Sequence, residues 1–196
     1  MELIIATTNV HKIREIRALL KPLHQLDILS LRDFPEYSQP PETGTTFEEN
    51  AILKATDAAR ALNKWAVADD SGLVVPALGG APGVYSARYA GERAADIDNR
   101  RKLLKEMADL EEIGRTAYFE CAIALASPKG LKKCVKGICE GMILTKERGR
   151  NGFGYDPLFL KHDYNQTFGE LEESVKNQVS HRGKALEKLK LILETI

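Results

Sequence analysis

The chain is poor in the features that mark specialised protein classes. Its 196 residues hold three cysteines, Cys121, Cys134 and Cys139, an odd set with no C-x-x-C spacing. That pattern supports neither a disulfide framework nor a structural zinc site, and it predicts reduced, mostly buried thiols. Charge of one sign is not in excess: Lys and Arg total 28, and so do Asp and Glu. Without an overall positive field the chain cannot hold nucleic acid or an anionic membrane non-specifically, so a polyanionic ligand must meet a local cluster of cations. Long apolar runs are missing as well. Stretches such as Cys121 to Ala126 fall far short of the roughly 20 residues of a membrane helix. The opening Met1-Glu2-Leu3-Ile4-Ile5 is too short for a signal peptide. The expectation is a cytoplasmic protein with no stable nucleic-acid partner and no membrane partner. No G-x-x-x-x-G-K-[ST] string occurs, so a Walker phosphate loop is excluded, and His11, His24 and His162 lack H-E-x-x-H spacing.

What is present is a core. At 43% hydrophobic content the chain can bury one, and with no repeat, low-complexity tract or linker it reads as a single domain over residues 1–196. Leu3 to Ala6 reads as a strand, followed by the polar loop Thr7-Thr8-Asn9 and a helix marked by Ile13, Ile16, Leu19 and Leu20 that ends by Pro22. Thr46-Phe47-Glu48-Glu49 is a capping box, and Phe47, Ala51, Ala55, Ala58 and Leu62 form the apolar face of the helix it opens. Trp65 to Ala68 reads as a buried strand stopping at Asp69-Asp70-Ser71-Gly72. A Gly- and Pro-rich loop spans 76–91, and a helix follows over Ala94 to Met107. Ala117 to Ala126 and Cys134 to Leu144 form a hairpin joined at Ser127-Pro128-Lys129-Gly130, and Leu158 to Leu160 is a further short strand. Leu186, Leu189, Leu193 and Ile196 mark a last helix capped by Ser180. Strands alternating with helices and then a hairpin indicate an α/β protein with a mixed sheet, whose ligands gather beyond strand ends.

Four stretches have the composition of a site. Thr7-Thr8-Asn9-Val10-His11-Lys12, between a strand and a helix, brings free helix amides and an ammonium toward one point, an anion site in outline. The plainer alternative is that Asn9 caps the helix and Lys12 is solvated. Asp69-Asp70 places two carboxylates at the end of a buried strand, a costly position unless cations compensate them. A magnesium ion would do so, and strand alternation points the two acids in different directions. An ordinary turn before Ser71-Gly72 is the alternative. Gly152-Phe153-Gly154-Tyr155-Asp156-Pro157 offers two aromatics for stacking on a base and a carboxylate beside them, or simply two core rings. Ser180-His181-Arg182-Gly183 opens the last helix with donors suited to a carbonyl or an anion. Lys54 shares a helix face with Asn50 and Asp57, a face read by default as solvated, and Glu36 and Glu42 sit in a Pro-rich loop.

Taken in order, these stretches resemble the inosine triphosphate pyrophosphatase family, the non-canonical purine nucleoside triphosphate pyrophosphatases. The resemblance runs through Ala6-Thr7-Thr8-Asn9 with Lys12, Glu42-Thr43-Gly44 with Thr46 to Ala51, and Ala68 to Leu73. It continues in Leu78 to Tyr89, Gly152 to Pro157 and Ser180 to Gly183. It implies an elongated, bilobed α/β fold with a central mixed β-sheet flanked by helices, a nucleotide cleft between the lobes, and a homodimer. It implies magnesium (Mg2+) as cofactor, held by Glu42 and Asp70, with Asp70 also the general base. Phosphate contacts would fall on Thr7, Thr8, Asn9, Val10, His11, Lys12 and Lys54, and Ser71 would be a further substrate contact. Phe153, Gly154, Tyr155, Asp156, Lys176, His181 and Arg182 would contact the base. Two departures stand out: Thr8 replaces a frequent Gly, and Pro41-Glu42 replaces a frequent pair of glutamates, with Glu36 as a reserve carboxylate.

The implied reaction is attack of water on the α-phosphorus of ITP, dITP or XTP, giving the monophosphate and pyrophosphate and cleansing the nucleotide pool. A 6-keto oxygen would satisfy donors that the 6-amino group of adenine leaves unpaired. A non-catalytic purine sensor, or a phosphohydrolase releasing orthophosphate, would use the same residue types.

Overall fold

A computed structural model describes residues 1–194. Its main elements are β1 (Glu2–Ile5), α1 (Val10–Leu20), β2 (Asp27–Ser30), α2 (Phe47–Leu62), β3 (Trp65–Val74) and α3 (Asp96–Glu106). They continue with β4 (Thr116–Ser127), β5 (Gly130–Ile143), β6 (Phe159–Lys161), α4 (Glu173–Val179) and α5 (His181–Leu193). The strands form one sheet in the order β2-β1-β3-β4-β5-β6. β1 runs parallel to both β2 and β3, whereas β6 is antiparallel to β5, so the sheet is mixed as expected. Helices flank it.

Two elements start where the sequence says they should, for the reasons it suggests. Asn9 is the N-cap of α1 and accepts from the amides of His11 and Lys12 at 3.0 and 3.2 Å. Thr46 caps α2 in a complete capping box: its hydroxyl accepts from Glu49 N at 3.1 Å while Glu49 accepts from Thr46 N at 3.2 Å. The hairpin strands β4 and β5 are longer than expected, meeting across Pro128-Lys129 alone. β2 and α4 were not foreseen; both are short, four and seven residues, and carry too few apolar positions to show a period. Ile196, placed by sequence on the stripe of α5, lies outside the described residues.

One correction matters for the site. β3 does not stop at Asp69 but runs on through Asp70, Ser71 and Gly72 to Val74. The pairing of β3 with β1 ends at Val67, but β4 remains its neighbour in the sheet and the two carboxylates find cations, which overrides the turn propensity of Asp-Asp-Ser-Gly.

The chain divides into two compact units, one of residues 1–70, 121–137 and 181–196, the other of 71–120 and 138–180. The first has a core of Leu3, Ile5, Ile13, Ile16, Leu20, Val67, Ile123, Leu125, Leu186 and Leu189, which joins β1, β3 and β4 to α1 and α5. The second centres on Phe119, Phe159 and Phe168, whose ring centroids are 4.7 to 5.8 Å apart, with Leu73, Leu103, Met107 and Tyr155 around them. Cys121 and Cys139 are buried free thiols, and burial pushes the half-buried Cys134 up to about 11.

In the first unit β5 approaches α5 closely at Gly137. A Cβ built there would lie 2.1 Å from His181 O and 2.6 Å from Ala185 N, backbone atoms that cannot rotate away. Gly137→Ala should therefore destabilise the protein by about 1–3 kcal/mol, the usual cost of overpacking. Urea denaturation measures this, and a variant as stable as wild type would contradict the close approach.

Candidate active site

The site in the first unit grows from the alternation of side chains along β3. Asp69 and Asp70 are adjacent, 1% and 6% exposed, and point to different partners. Asp69 Oδ2 lies 3.1 Å from Lys12 Nζ and 2.9 Å from Arg182 Nη2. Arg182, itself 1% exposed, also donates through Nη1 to Glu15, a buried carboxylate of α1. Burial opposes charge on Asp69, yet Lys12 and Arg182 outweigh it and hold this carboxyl well below the usual carboxylate range. Burial likewise opposes the Arg182 charge, and Asp69 and Glu15 more than restore it.

Asp70 faces α2. Its Oδ1 is 3.0 Å from Lys54 Nζ, and its Oδ2 accepts from Asn50 Nδ2 at 3.2 Å. Glu42 Oε1 lies 2.9 Å from the same Lys54 ammonium, so two carboxylates converge on one cation. Burial raises the Asp70 carboxyl above the usual carboxylate value; Lys54 and Lys12 pull it down, and the Glu42 charge pushes it up again. Burial would discharge Lys54, but Asp70, Asp69 and Glu42 keep it an ammonium.

This geometry revises the reading of α2. Its Asn50–Lys54 face is not solvated: Asn50 is 1% and Lys54 6% exposed, and Asp57 accepts from Tyr37 Oη at 2.6 Å. Asn50 was not singled out, although an Asn in a helix interior, one turn before a Lys, is an unfavourable choice that signals a side-chain role. Its Oδ1 also accepts from Gly44 N at 2.8 Å, which ties the Glu42-Thr43-Gly44 loop to the helix. Glu36 stays exposed on that loop while Glu42 joins the cluster. Glu15 was missed too; nothing in the run Ile13 to Leu20 distinguishes it from a solvated acid.

At the start of α1 both sequence readings are partly realised. Asn9 does cap the helix and takes the amides of His11 and Lys12, while Lys12 pairs with Asp69 instead of standing in solvent. Thr7 Oγ1 accepts from Asn9 N at 3.2 Å, and Thr8, Val10 and His11 are exposed. Ser71 follows Asp70 in β3. His181 is buried in the first turn of α5.

The second unit holds the aromatic cluster. Lys176 and Asp156 are 4% and 3% exposed and form an ion pair at 2.6 Å. Asp156 Oδ2 also accepts from Phe153 N at 2.8 Å, and Lys176 Nζ lies 4.9 Å from the Phe153 ring centroid. Phe153 is half-buried, whereas Tyr155 is 3% exposed, packs in the core and donates its hydroxyl to Ser86 O at 2.9 Å. Of the two rings, Phe153 is the one left partly exposed.

Magnesium fits the donors of the first unit. Glu42 and Asp70 supply hard carboxylate oxygens at a point where a cation is already stable, and this ion takes one or two carboxylates and completes its shell with water and phosphate. Among the described residues no group of three or more His, Cys, Asp and Glu side chains could hold a metal ion by itself.

The Asp69–Arg182–Glu15 cluster generates a stability prediction. Arg182→Ala leaves two buried carboxylates with one cation fewer and should cost about 3–5 kcal/mol, read from chemical denaturation. Because the folded state holds Asp69 below its ordinary 3.8, its contribution is complete above that value and is lost as pH falls through the folded value. Asp69→Asn should therefore flatten the fall of stability in acid, and an unchanged acid limb would contradict the pairing.

Comparison with known proteins finds similarity over nearly the whole length of the chain. The model of the Ham1 family matches residues 3–192. A protein of Protochlamydia amoebophila (strain UWE25) named dITP/XTP pyrophosphatase is 58% identical, with 100% of this chain and 99% of that relative covered. Among solved structures, a HAM1 protein from Coxiella burnetii superposes with a TM-score of 0.90 at 40% identity, covering 100% of both chains. The Staphylococcus aureus Ham1 protein gives 0.88 at 41% identity, covering 100% of this chain and 99% of that one. Similarity this complete in both sequence and fold reflects common descent, and the chain belongs to the Ham1 family.

Proposed function

We propose that the chain is a magnesium-dependent nucleoside triphosphate pyrophosphatase. It hydrolyses the non-canonical purine nucleotides ITP, dITP and XTP to the monophosphate and pyrophosphate, acting as a cytoplasmic homodimer that cleanses the nucleotide pool. The observation that carries this reading is Asp70: a buried carboxylate with a raised pKa, flanked by an ammonium and a second carboxylate. The dITP/XTP pyrophosphatase name of the relative at 58% identity supports it.

Asp70, with its proton affinity raised by burial, is suited to take a proton from water attacking the α-phosphorus. Asn50, bonded to Oδ2, orients that carboxylate. Lys54 stays charged and supplies fixed positive potential where charge accumulates on the leaving pyrophosphate, and Lys12 does the same from α1. Magnesium bound by Glu42 and Asp70 would neutralise phosphate charge. Thr7 to His11 complete the assignment of phosphate contacts and Ser71 is a further substrate contact, both resting on the family resemblance.

Phe153 is assigned to stack on the purine and Lys176 to donate toward its 6-keto oxygen; the ammonium beside the ring supports that pairing. Gly154, Tyr155 and Asp156 shape this segment. His181 and Arg182 belong to the same assignment by resemblance, although Arg182 already serves two carboxylates. Adenine, with an amino group at position 6, would leave the donors unpaired and so be rejected.

The test is one assay of ITP, dITP, XTP, GTP and ATP with magnesium, reading pyrophosphate against orthophosphate. Pyrophosphate released from ITP, dITP and XTP and little from ATP is expected. Orthophosphate would point to an ordinary phosphohydrolase, and binding without turnover to a purine sensor. Asp70→Asn keeps the shape and removes the charge, so turnover should fall by at least ~100-fold; near-wild-type activity would remove Asp70 from the chemistry. Lys54→Ala should lower kcat/KM for ITP and XTP by similar factors. A change of more than about tenfold in their ratio would contradict a phosphate role.

A further inference from the structure

In the second unit, α3 grips the segment that carries Phe153 and Asp156. Gly154 has a φ of 61°, a left-handed conformation that glycine adopts without penalty, and a Cβ there would meet nothing within 4 Å. A side chain at this position would stand in open space. Its backbone is held instead: the Gly154 N–H donates to Asp96 Oδ2 at 2.6 Å, and its carbonyl accepts from Arg100 Nη1 at 2.8 Å.

Asp96 and Arg100 are one turn apart on one face of α3, so a single rigid helix fixes the peptide units on both sides of Gly154. Both contacts involve a charged partner, the stronger kind of hydrogen bond. Arg100 is itself oriented by Glu147, whose Oε1 accepts from Arg100 Nε at 2.8 Å. The helix is anchored in turn. Asn99, 2% exposed, donates to Ala87 O at 3.1 Å and accepts from Ala90 N at 2.8 Å, and Lys102 Nζ donates to Tyr89 O at 2.7 Å. Tyr155 reaches the same turn through Ser86 O.

We propose that Asp96 and Arg100 are positioning residues for purine recognition. By clamping both backbone groups of Gly154 they set the direction of the Phe153 ring and of the Asp156 carboxylate that holds Lys176. The proposal rests on the assignment of Phe153 to Asp156 to the base. Released from α3, the glycine would sample other conformations, and the base would have to order the segment on binding, a cost that appears as weaker affinity. The phosphate contacts, on other elements, would not feel it.

The experiment compares wild type with Asp96→Ala, Arg100→Ala and the conservative Asp96→Asn, which keeps an acceptor oxygen. Steady-state kinetics with XTP are measured alongside inhibition by inorganic tripolyphosphate, which carries the phosphates without a base. Loss of one charge-assisted bond should raise KM for XTP about tenfold or more, with kcat within about threefold of wild type. The inhibition constant of tripolyphosphate should be unchanged, and Asp96→Asn should recover most of the loss. An unchanged KM in both alanine variants overturns the proposal. So does a parallel weakening of XTP and tripolyphosphate with a lowered Tm, which would mark a general loss of structure. Wild type failing to hydrolyse XTP would defeat the functional reading itself and this proposal with it, a result distinct from active variants that match wild type.

Discussion

Two neighbouring carboxylates inside a sheet are the constraint on which the first unit depends. Asp69 and Asp70 sit in β3 just past its last pair with β1, Ile5 with Val67, and are nearly without solvent. An uncompensated charge in such a place costs several kcal/mol, comparable with the whole stability of many domains. The compensation comes from three helices. Lys12 arrives on α1, Lys54 on α2 and Arg182 on α5, segments far apart in sequence that must all pack against one strand for the charges to balance. The apolar stripes of α1 and α5 supply the burial energy, but the charges decide which register of those helices is acceptable. A shift of one turn would leave the carboxylates buried and unpaired.

The same constraint divides the labour between the two acids. Asp69 has two cations and a carboxyl held well below the usual range, so it cannot accept a proton near neutrality; it is a structural anion. Asp70 shares one ammonium with Glu42, and burial raises its proton affinity. Side-chain alternation along a strand separates the two by direction, and the partners that each direction meets separate them by chemistry. The raised carboxylate, an imperfectly compensated charge, is the kind of local cost that functional sites keep.

Much of this was legible in the sequence because it is local. The capping box at Thr46, the Asn9 cap, the stripes of α1 and α2 and the hairpin about Pro128 depend on residues within a few positions of each other. Asp69-Asp70 was legible as a problem in need of cations. What was not legible is which cations, because pairing across the fold is not written in spacing. Asp-Asp-Ser-Gly is a good turn by propensity, yet β3 passes through it since the neighbouring strand β4 and the cations Lys12, Lys54 and Arg182 make extension the better state. Lys54 and Asn50 look like an exposed helix face until β3 is placed opposite them. Glu15 and the Asp96–Arg100 pair look like ordinary helix charges; their partners lie 167, 58 and 54 residues away. The resemblance to a known family named candidate site residues, and the structure shows which of them are paired with one another.

The central claim is that water, deprotonated at Asp70, attacks the α-phosphorus. Hydrolysis of dITP in water enriched in oxygen-18, followed by mass spectrometry of both products, tests it most directly. The account predicts one heavy oxygen in the deoxyinosine monophosphate and none in the pyrophosphate. Label in the pyrophosphate would mean attack at the β-phosphorus and would contradict the proposed attack at the α-phosphorus.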